Sequence, residues 1–315
     1  MIISASRRTD IPNYYSEWFC NRLKEGFVCV RNPMNLHQIS RIPLSPEVID
    51  CIVFWTKNPT NMLDKLDAIK DYPYYFQFTV TPYGKEIERN IPDKQEVILP
   101  VFKHLSNTIG SEKVIWRYDP IFFSDKYTPE YHIKAFNRIA AELRGYTEKC
   151  VISFVDIYRK NKKKLEQAGT IAPDNHFLLD FCQRLKEIAD SNKMPLATCA
   201  EKIDLSSVGI THNSCIDKGL IENLIGCKIN VKKDSNQREE CGCVESTDIG
   251  AYNTCMNLCS YCYANFSNDT VLKNQMAYDA HSPLLCGNIL PDDTIYDKKI
   301  SSNKKSFEQL NLWDL

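Results

Sequence analysis

The sequence predicts an α/β fold, a TIM-like (β/α) barrel that is either complete or partial. Short apolar segments alternate with amphipathic segments about eight times along the 315 residues, a length at which such a barrel commonly forms one unit. The apolar segments are rich in β-branched and aromatic residues, as strands buried on both faces should be. No GxGxxG or Walker segment follows any of them, which disfavours nucleotide-binding open sheets.

Eight segments are predicted as strands. They span residues 2–6, 27–30, 51–56, 75–81, 113–119, 150–156, 196–200 and 244–251. Thr128 and Asp174 are each predicted to cap a helix, because each precedes apolar residues at helical spacing. Thr60 and Asp93 are predicted to begin two further helices in the same way.

The composition is that of a globular protein, with 43% hydrophobic and 25% charged residues. No apolar run is long enough to cross a bilayer and the N-terminal one is too short for a signal peptide, so we expect a cytoplasmic location and no membrane partner. The net charge of -1 does not indicate nucleic-acid binding, although a chain with a net charge near zero can still carry a local basic patch. Nucleic acid is therefore neither indicated nor excluded as a partner.

Fourteen cysteines are many for a reducing compartment unless some bind metal, because disulfides are not expected there. Five lie in apolar segments and are interpreted as core residues: Cys20, Cys29, Cys51, Cys150 and Cys182. Cys286 is interpreted as structural. The other eight lie between residues 199 and 262, a concentration that packing alone does not require.

The most informative segment is Cys-Met-Asn-Leu-Cys-Ser-Tyr-Cys, a CxxxCxxC array formed by Cys255, Cys259 and Cys262. Three close thiolates can bind three irons of a 4Fe-4S cluster, and without a fourth cysteine nearby one iron stays open to an outside ligand. The array follows the last predicted strand, which places it at the carboxyl end of a barrel, where function is found. A fourth ligand from His212 or a distant cysteine is the alternative, and it would close a zinc site.

A second metal site is predicted upstream of this array. Cys199, Cys215, Cys241 and Cys243 are interpreted as the four ligands of an auxiliary iron-sulfur cluster, while Cys227 is left over in a more apolar context. The chain before Cys243 is polar and loop-like, so these thiols have little core to pack into. A tetrahedral zinc site would use the same four thiolates, and CxC spacing does not discriminate between the two metals.

Polar residues end several other predicted strands, where they should face the same space. Arg117 and Asp119 share one face of their strand and Lys57 ends another, and these three are the candidate catalytic residues. A buried structural ion pair is the alternative for the first two, and an exit into solvent for Lys57. The remaining polar residues at strand ends are Arg7, Arg8, Thr9, Asp10, Asn58, Gln77, Thr79, Thr81, Ser153, Asp156 and Glu201. Their convergence on one end favours a functional site.

The segment Cys-Ser-Tyr-Cys-Tyr-Ala-Asn, residues 259–265, resembles the cluster loop of the radical S-adenosylmethionine (SAM) branch that contains spore photoproduct lyase and repair-photolyase-like proteins. Further likeness lies in residues 55–59, 78–81, 117–121 and 153–158. Over nearly the whole chain, the sequence is similar to the bacterial domain-of-unknown-function family DUF1848. Members of that family open with Ser-Ala-Ser-Arg-Arg-Thr-Asp-Ile-Pro and carry the cysteine array near the C-terminus.

Most radical SAM enzymes carry this array near the N-terminus, so the resemblance implies a permuted strand order here. Permutation need not disturb the site, because a strand can occupy the same barrel position from either end of the chain. The sequence has no Gly-Gly-Glu segment of the kind that holds the SAM amino group in many relatives.

The resemblance implies that Cys255, Cys259 and Cys262 bind a 4Fe-4S cluster, that SAM binds at its open iron, and that Tyr261 lies near the SAM adenine. A packed aromatic side chain is the alternative for Tyr261. The implied function is reductive cleavage of SAM to a 5'-deoxyadenosyl radical, which abstracts hydrogen from an unknown substrate. A reductant such as flavodoxin or ferredoxin is the implied partner. The alternative is a zinc-stapled barrel that acts as a binding or regulatory module without SAM chemistry.

Four segments are predicted along the chain. Residues 1–200 hold the βα repeats, and residues 201–243 form a cysteine-bearing insertion with the auxiliary metal site. Residues 244–298 hold the last barrel strand and the cluster loop. Residues 299–315 are predicted as a flexible tail whose last six residues could dock onto the barrel or onto a partner.

Overall fold

A computed structural model describes residues 1–305 of the chain. The strands within this range are β1 (Ile2–Ala5), β2 (Phe27–Arg31), β3 (Gln38–Pro43), β4 (Cys51–Thr56), β5 (Tyr74–Thr79), β6 (Val114–Ile121), β7 (Cys150–Phe154), β8 (Leu196–Cys199), β9 (Thr211–Asn213), β10 (Thr247–Asp248) and β11 (Thr294–Asp297). The predicted tail is described as far as residue 305, and its proposed docking segment, 310–315, lies outside the described residues.

The helices of the described chain are α1 (Ile11–Tyr14), α2 (Ser16–Glu25), α3 (Thr60–Leu63), α4 (Leu99–Ile109), α5 (Pro129–Leu143), α6 (Lys162–Gln167), α7 (Asn175–Ser191), α8 (Lys218–Ile225) and α9 (Asn268–Met276). Within residues 1–305, no helix combines the length and the apolar character that crossing a membrane requires. Most of the helices connect successive parallel strands, as the βα alternation predicts.

Eight strands form one parallel sheet in the order β10-β1-β4-β5-β6-β7-β8-β9. All of its neighbouring pairs are parallel, which confirms the predicted α/β class. Seven of the eight predicted strands contribute to this sheet, although the last shrinks to the two residues of β10. The eighth place is taken by β9, which lies within the segment predicted as an insertion.

The prediction that residues 27–30 form a barrel strand is wrong. They form β2, which pairs antiparallel with β3, and β3 pairs with β11 in a separate three-stranded sheet. A short loop without a helix joins β2 to β3, and such a loop permits only antiparallel pairing. Strands β3, β9 and β11 are absent from the predicted set because they have few consecutive apolar residues, and β11 is exposed along its whole length.

Local capping chemistry positions the helices. The side chains of Thr128 and Asp174 each accept a hydrogen bond from the backbone N–H three residues later, at 3.1 and 2.8 Å, which confirms both predicted N-caps. Asp93 also caps its helix, but the first turn, Lys94–Ile98, is π-helical before α4 begins. Thr60 begins only the single turn of α3, which has no side-chain cap.

The pleat of the central sheet separates two faces. On the outer face, aromatic side chains such as Phe54 and Trp116 are fully buried. Phe54 meets Phe19 of α2 edge to face, and Trp116 stacks on Phe136 of α5. On the inner face, Val53, Ile115 and Val151 pack in a second apolar cluster near the amino ends of the strands. The same face becomes polar toward the carboxyl ends, which places the candidate site at one end of the sheet.

The central sheet curls strongly although strand pairing does not close it. Tyr75 Oη and Gln77 Nε2, both on β5, donate hydrogen bonds to the carbonyl of Cys215, at 2.7 and 2.9 Å. Cys215 follows β9, which is four strands away from β5, and in a flat sheet that separation would be about 19 Å. Across the open side, Ile216 accepts a hydrogen bond from Val244 N at 3.2 Å, so loops bridge the gap between the two edge strands.

Candidate metal and cofactor site

A cavity of about 430 Å³ opens at the carboxyl ends of the curled strands. It brings together the predicted metal ligands, the three candidate catalytic residues and Tyr261: Cys199, Cys215, Cys241, Cys243, Cys255, Cys259, Cys262, Lys57, Arg117, Asp119 and Tyr261. The two cysteine sets therefore line one space, although their members lie up to 63 positions apart in the sequence. This arrangement follows from the curl of the sheet, since β8 and the chain after β10 lie near opposite edges.

The loop that carries Cys255, Cys259 and Cys262 is held by hydrogen bonds from several elements. Asn257 Nδ2 donates to Asp10 Oδ2 at 3.0 Å, and Asp10 is itself fixed by the backbone N–H of Lys57. Other bonds reach the loop from the chain after β5, including one from the Ser260 backbone to Ile87 and one from the Asn90 side chain to Met256. The loop is therefore preorganised by its surroundings.

The three thiols of this loop fit a cluster with an open iron better than they fit zinc. In a tetrahedral zinc site, sulfurs lie about 3.8 Å apart, because Zn–S bonds are about 2.3 Å long. Within residues 1–305, no three cysteine sulfurs all lie within 4.8 Å of one another. The wider spread suits thiolates that each bind a different iron.

His212 does not supply the fourth ligand that the sequence left open. It lies on β9, where its side chain is exposed and its Nδ1 lies 3.2 Å from Thr198 Oγ1. It is absent from the lining of the cavity. Among the described residues, the one group of His, Cys, Asp and Glu ligand atoms within 4.8 Å is His37 with Asp292 and Asp293, on the separate three-stranded sheet. Among the described residues, the array thus offers three thiols, and His212 adds no fourth donor to them.

The second cysteine set is compact, and Arg117 lies beside it. The sulfurs of Cys199 and Cys215 lie 3.1 Å apart, and Cys243 Sγ accepts a hydrogen bond from the Ile216 backbone at 3.3 Å. A hydrogen bond with Cys243 lowers the pKa of the Cys241 thiol to about 7, so this thiol is a ready ligand near neutral pH. Cys227 is absent from the lining of the cavity.

Arg117 and Asp119 form a buried ion pair beside this second set. Arg117 Nε donates to Asp119 Oδ2 at 2.9 Å, and its Nη1 donates to Cys215 Sγ at 2.8 Å. Burial alone would raise the pKa of Asp119, but the guanidinium and a hydrogen bond from Ser153 outweigh it and lower that pKa. The pair is charged, and Arg117 connects it directly to a candidate metal ligand.

Lys57 does not exit into solvent. Its Nζ lies 2.7 Å from Glu88 Oε1, and Lys94 Nζ lies 2.6 Å from Glu88 Oε2. Glu88 is 1% exposed and also accepts hydrogen bonds from Thr81 Oγ1 and the Tyr261 hydroxyl. One buried carboxylate thus joins the strand ends to the cluster loop.

Sequence reasoning missed Glu88, and no local signal identifies it. It lies in a charged segment after β5 that reads as ordinary surface chain. Its partners Lys57 and Tyr261 are 31 and 173 residues away in sequence.

Tyr261 forms part of the cavity wall. Its ring centroid lies 5.8 Å from that of Tyr83, and its hydroxyl bonds Glu88. The remaining predicted residues divide into two groups. Those that line the cavity are Arg7, Arg8, Thr9, Asp10, Thr79, Ser153 and Asp156, and those that do not are Asn58, Gln77, Thr81 and Glu201. Glu201 instead accepts a hydrogen bond from the Phe154 backbone at 2.8 Å.

Residues 2–264 match the model of the family described as Domain of unknown function (DUF1848). The match spans most of the chain, and the protein therefore belongs to this family, as its sequence predicts. A comparison with curated proteins found no match to this chain.

Proposed function

We propose that this member of the DUF1848 family is a radical SAM enzyme. The observation that carries the proposal is the set of three thiols, Cys255, Cys259 and Cys262, on the wall of one cavity without a fourth protein ligand among the described residues. A structural zinc site is closed by four protein ligands, whereas three thiolates leave one iron of a 4Fe-4S cluster free for a cosubstrate.

These three cysteines would hold the cluster. When bound, the cluster with SAM supplies reductive cleavage of SAM and a 5'-deoxyadenosyl radical that abstracts hydrogen from the substrate. The residues of this chain position the cluster loop and form the cavity wall. Asp10 and Glu88 hold the loop through hydrogen bonds, and Tyr261 forms the wall where the SAM adenine is proposed to lie. The carboxyl ends of the curled strands provide part of the cavity wall.

The second cysteine set is proposed to hold an auxiliary iron-sulfur cluster on the opposite wall. Its sulfurs lie close together, with those of Cys199 and Cys215 3.1 Å apart, and a tetrahedral zinc site would use the same four thiolates. Arg117 would neutralise part of the negative charge of such a cluster through its hydrogen bond to Cys215. The substrate would then bind between the two sites, with Lys57, Arg117 and Asp119 as the charged groups nearest to it.

The finer fold that we propose is a partial barrel. The hydrogen bonds from β5 to the chain after β9 support it, since they require the sheet to wrap around an interior. The loop contact between Ile216 and Val244 stands where a closed barrel would have strand pairing. A one-electron donor such as flavodoxin or ferredoxin is the proposed partner, and the cytoplasm stays the predicted location.

The test is anaerobic purification followed by analysis of iron, sulfide and zinc, and by an assay for 5'-deoxyadenosine from SAM in the reduced protein. The wild-type chain is expected to contain iron and sulfide and to cleave SAM. Cys259→Ala should abolish cleavage, and Cys241→Ala should remove only part of the iron. Cys227→Ala is the matched control, because this cysteine does not line the cavity, and it should behave as wild type.

Two results contradict the proposal. One is SAM cleavage that persists in the Cys259→Ala variant, which would remove the assignment of the array. The other is a purified protein with zinc, without iron and without SAM cleavage, which would select the zinc-stapled module instead.

A further inference from the structure

We propose that a basic segment packed on the cluster loop is the docking surface for an acidic one-electron carrier protein. The inference rests on the proposed function, because a reducible cluster in that loop is what requires an electron. The segment comprises residues 159–164, which span the end of the loop after β7 and the first turn of α6. Five of its six residues are arginine or lysine. The net charge of -1 for the whole chain conceals it.

The basic segment is attached directly to the cluster loop. Asn161, its one uncharged residue, is 1% exposed, and its Nδ2 donates a hydrogen bond to the carbonyl of Tyr261 at 3.0 Å. One helical turn later, Leu165 is buried in the same apolar cluster as Cys259 and Tyr261. The buried side of the segment therefore lies against the residues that would hold the catalytic cluster.

The other side of the segment presents positive charge that the protein itself does not neutralise. Arg159, Lys160, Lys162 and Lys163 are exposed, and Lys164 is half-buried. Within residues 1–305, just one of these five has a carboxylate partner, Lys162 with the exposed Glu166 at 3.8 Å, and such exposed pairs are weak. The surface is thus free to attract a negatively charged partner.

Leu165 shows how close the segment lies to the proposed cluster. It is buried in one apolar cluster with Cys259 and Tyr261, and Cys262 packs against that cluster. A carrier seated on the segment would lie over the part of the chain that packs against Cys259 and Tyr261.

An acidic carrier protein fits these features better than a nucleic acid does. Transient redox complexes use small interfaces, below about 1,200 Å², and depend on complementary charge for fast association. One short cationic segment over the redox site meets both requirements. A polynucleotide needs a basic groove that follows the strand, together with stacking surfaces, and the five cations here are confined to six residues.

The experiment compares two reductants and two double variants. K162E/K163E lowers the formal charge of the segment from +5 to +1 without changing a residue of the cavity lining. K304E/K305E reverses an exposed lysine pair in the chain that packs at the amino ends of β1 and β4, opposite the cavity, and is the matched control. Reduced flavodoxin serves as the acidic carrier, and reduced methyl viologen serves as a small donor that needs no docking surface.

With flavodoxin, K162E/K163E is expected to form 5'-deoxyadenosine about tenfold or more slowly at low ionic strength, because charge complementarity changes association rates by this order. With methyl viologen its rate should match that of wild type, and K304E/K305E should match wild type with both donors. Equal slowing with both donors, or no slowing with flavodoxin, overturns the docking surface.

A second readout does not depend on SAM cleavage. Titration of each variant with flavodoxin at low ionic strength is expected to show weaker binding for K162E/K163E than for K304E/K305E. Equal binding by the two overturns the inference. A single-stranded oligonucleotide that binds wild type but not K162E/K163E, together with unchanged flavodoxin binding, would assign the surface to nucleic acid. Failure of the proposed function is distinct, since no variant would then cleave SAM with either donor.

Discussion

Replacement of Glu88 by glutamine is expected to destabilise the wall that supports the cluster loop. Glu88 is 1% exposed and lies between the ammonium groups of Lys57 and Lys94, at 2.7 and 2.6 Å. Glutamine has the same size and keeps an acceptor oxygen for Thr81 and Tyr261, but it has no charge. Both ammonium groups would therefore lose their counter-ion at a buried position, which is the costly way to break an ion pair.

The structure sets the size of this effect. Burial alone would raise the pKa of Glu88, but Lys57 and Lys94 outweigh it and lower the pKa from 4.5 to about 2. A difference of about 2.5 pKa units corresponds to ~3 kcal/mol, at the lower end of the ~3–5 kcal/mol that breaking a buried pair costs. With an unfolding entropy of about 2.1 cal/mol/K per residue, this loss lowers the Tm of the chain by about 5–8 °C.

The assay is anaerobic thermal unfolding of wild type, Glu88→Gln and a control, Glu142→Gln. Glu142 pairs with Lys103 at 2.6 Å on the exposed surface, so its replacement should shift the Tm by no more than about 1 °C. Because the folded pKa of Glu88 is depressed, its stabilisation is complete above about pH 4.5 and is lost as the pH falls toward 2. The gap between wild type and Glu88→Gln should shrink accordingly. A gap below 1 °C at pH 7, or one equal to that of Glu142→Gln, would refute the reasoning.

Three further outcomes are expected. Gly250→Ala should lower the free energy of unfolding by about 1–3 kcal/mol, because a Cβ there would lie 2.1 Å from Ser6 Oγ. Urea unfolding measures this loss. Gly219→Ala is the tolerated control, because its Cβ would meet no atom closer than 3.4 Å. Burial lowers the pKa of His132 to about 4, so the contribution of its neutral form to stability is complete above pH 6.5 and is lost as the pH falls from 6.5 toward 4. The difference in unfolding free energy between wild type and His132→Gln should therefore shrink over that range. A constant difference would contradict this expectation. Arg117→Gln should weaken metal binding at the second cysteine set by about 10–100-fold, while the first set keeps its iron. Chelator titration with iron analysis tests this. Equal loss of metal from both sets would instead show a general structural defect.

Features that depend on short stretches of chain were predictable. Cys255, Cys259 and Cys262 lie within eight residues, so their place on one cavity follows from spacing that the sequence already shows. The N-caps Thr128 and Asp174 act on N–H groups three residues away and are equally local. The sheet assignment failed at residues 27–30, because the apolar sequence pattern of a strand does not specify which sheet the strand joins.

The sequence by itself determined the α/β class, most of the parallel strands and the candidate ligands, because periodicity and cysteine spacing are local properties of the chain. Only the tertiary structure decided that the sheet curls without closing, that Glu88 joins Lys57 to Tyr261, and that both cysteine sets face one cavity. These features depend on contacts between segments up to 173 residues apart. Such contacts arise from packing and sheet curvature, which no local pattern of residues records.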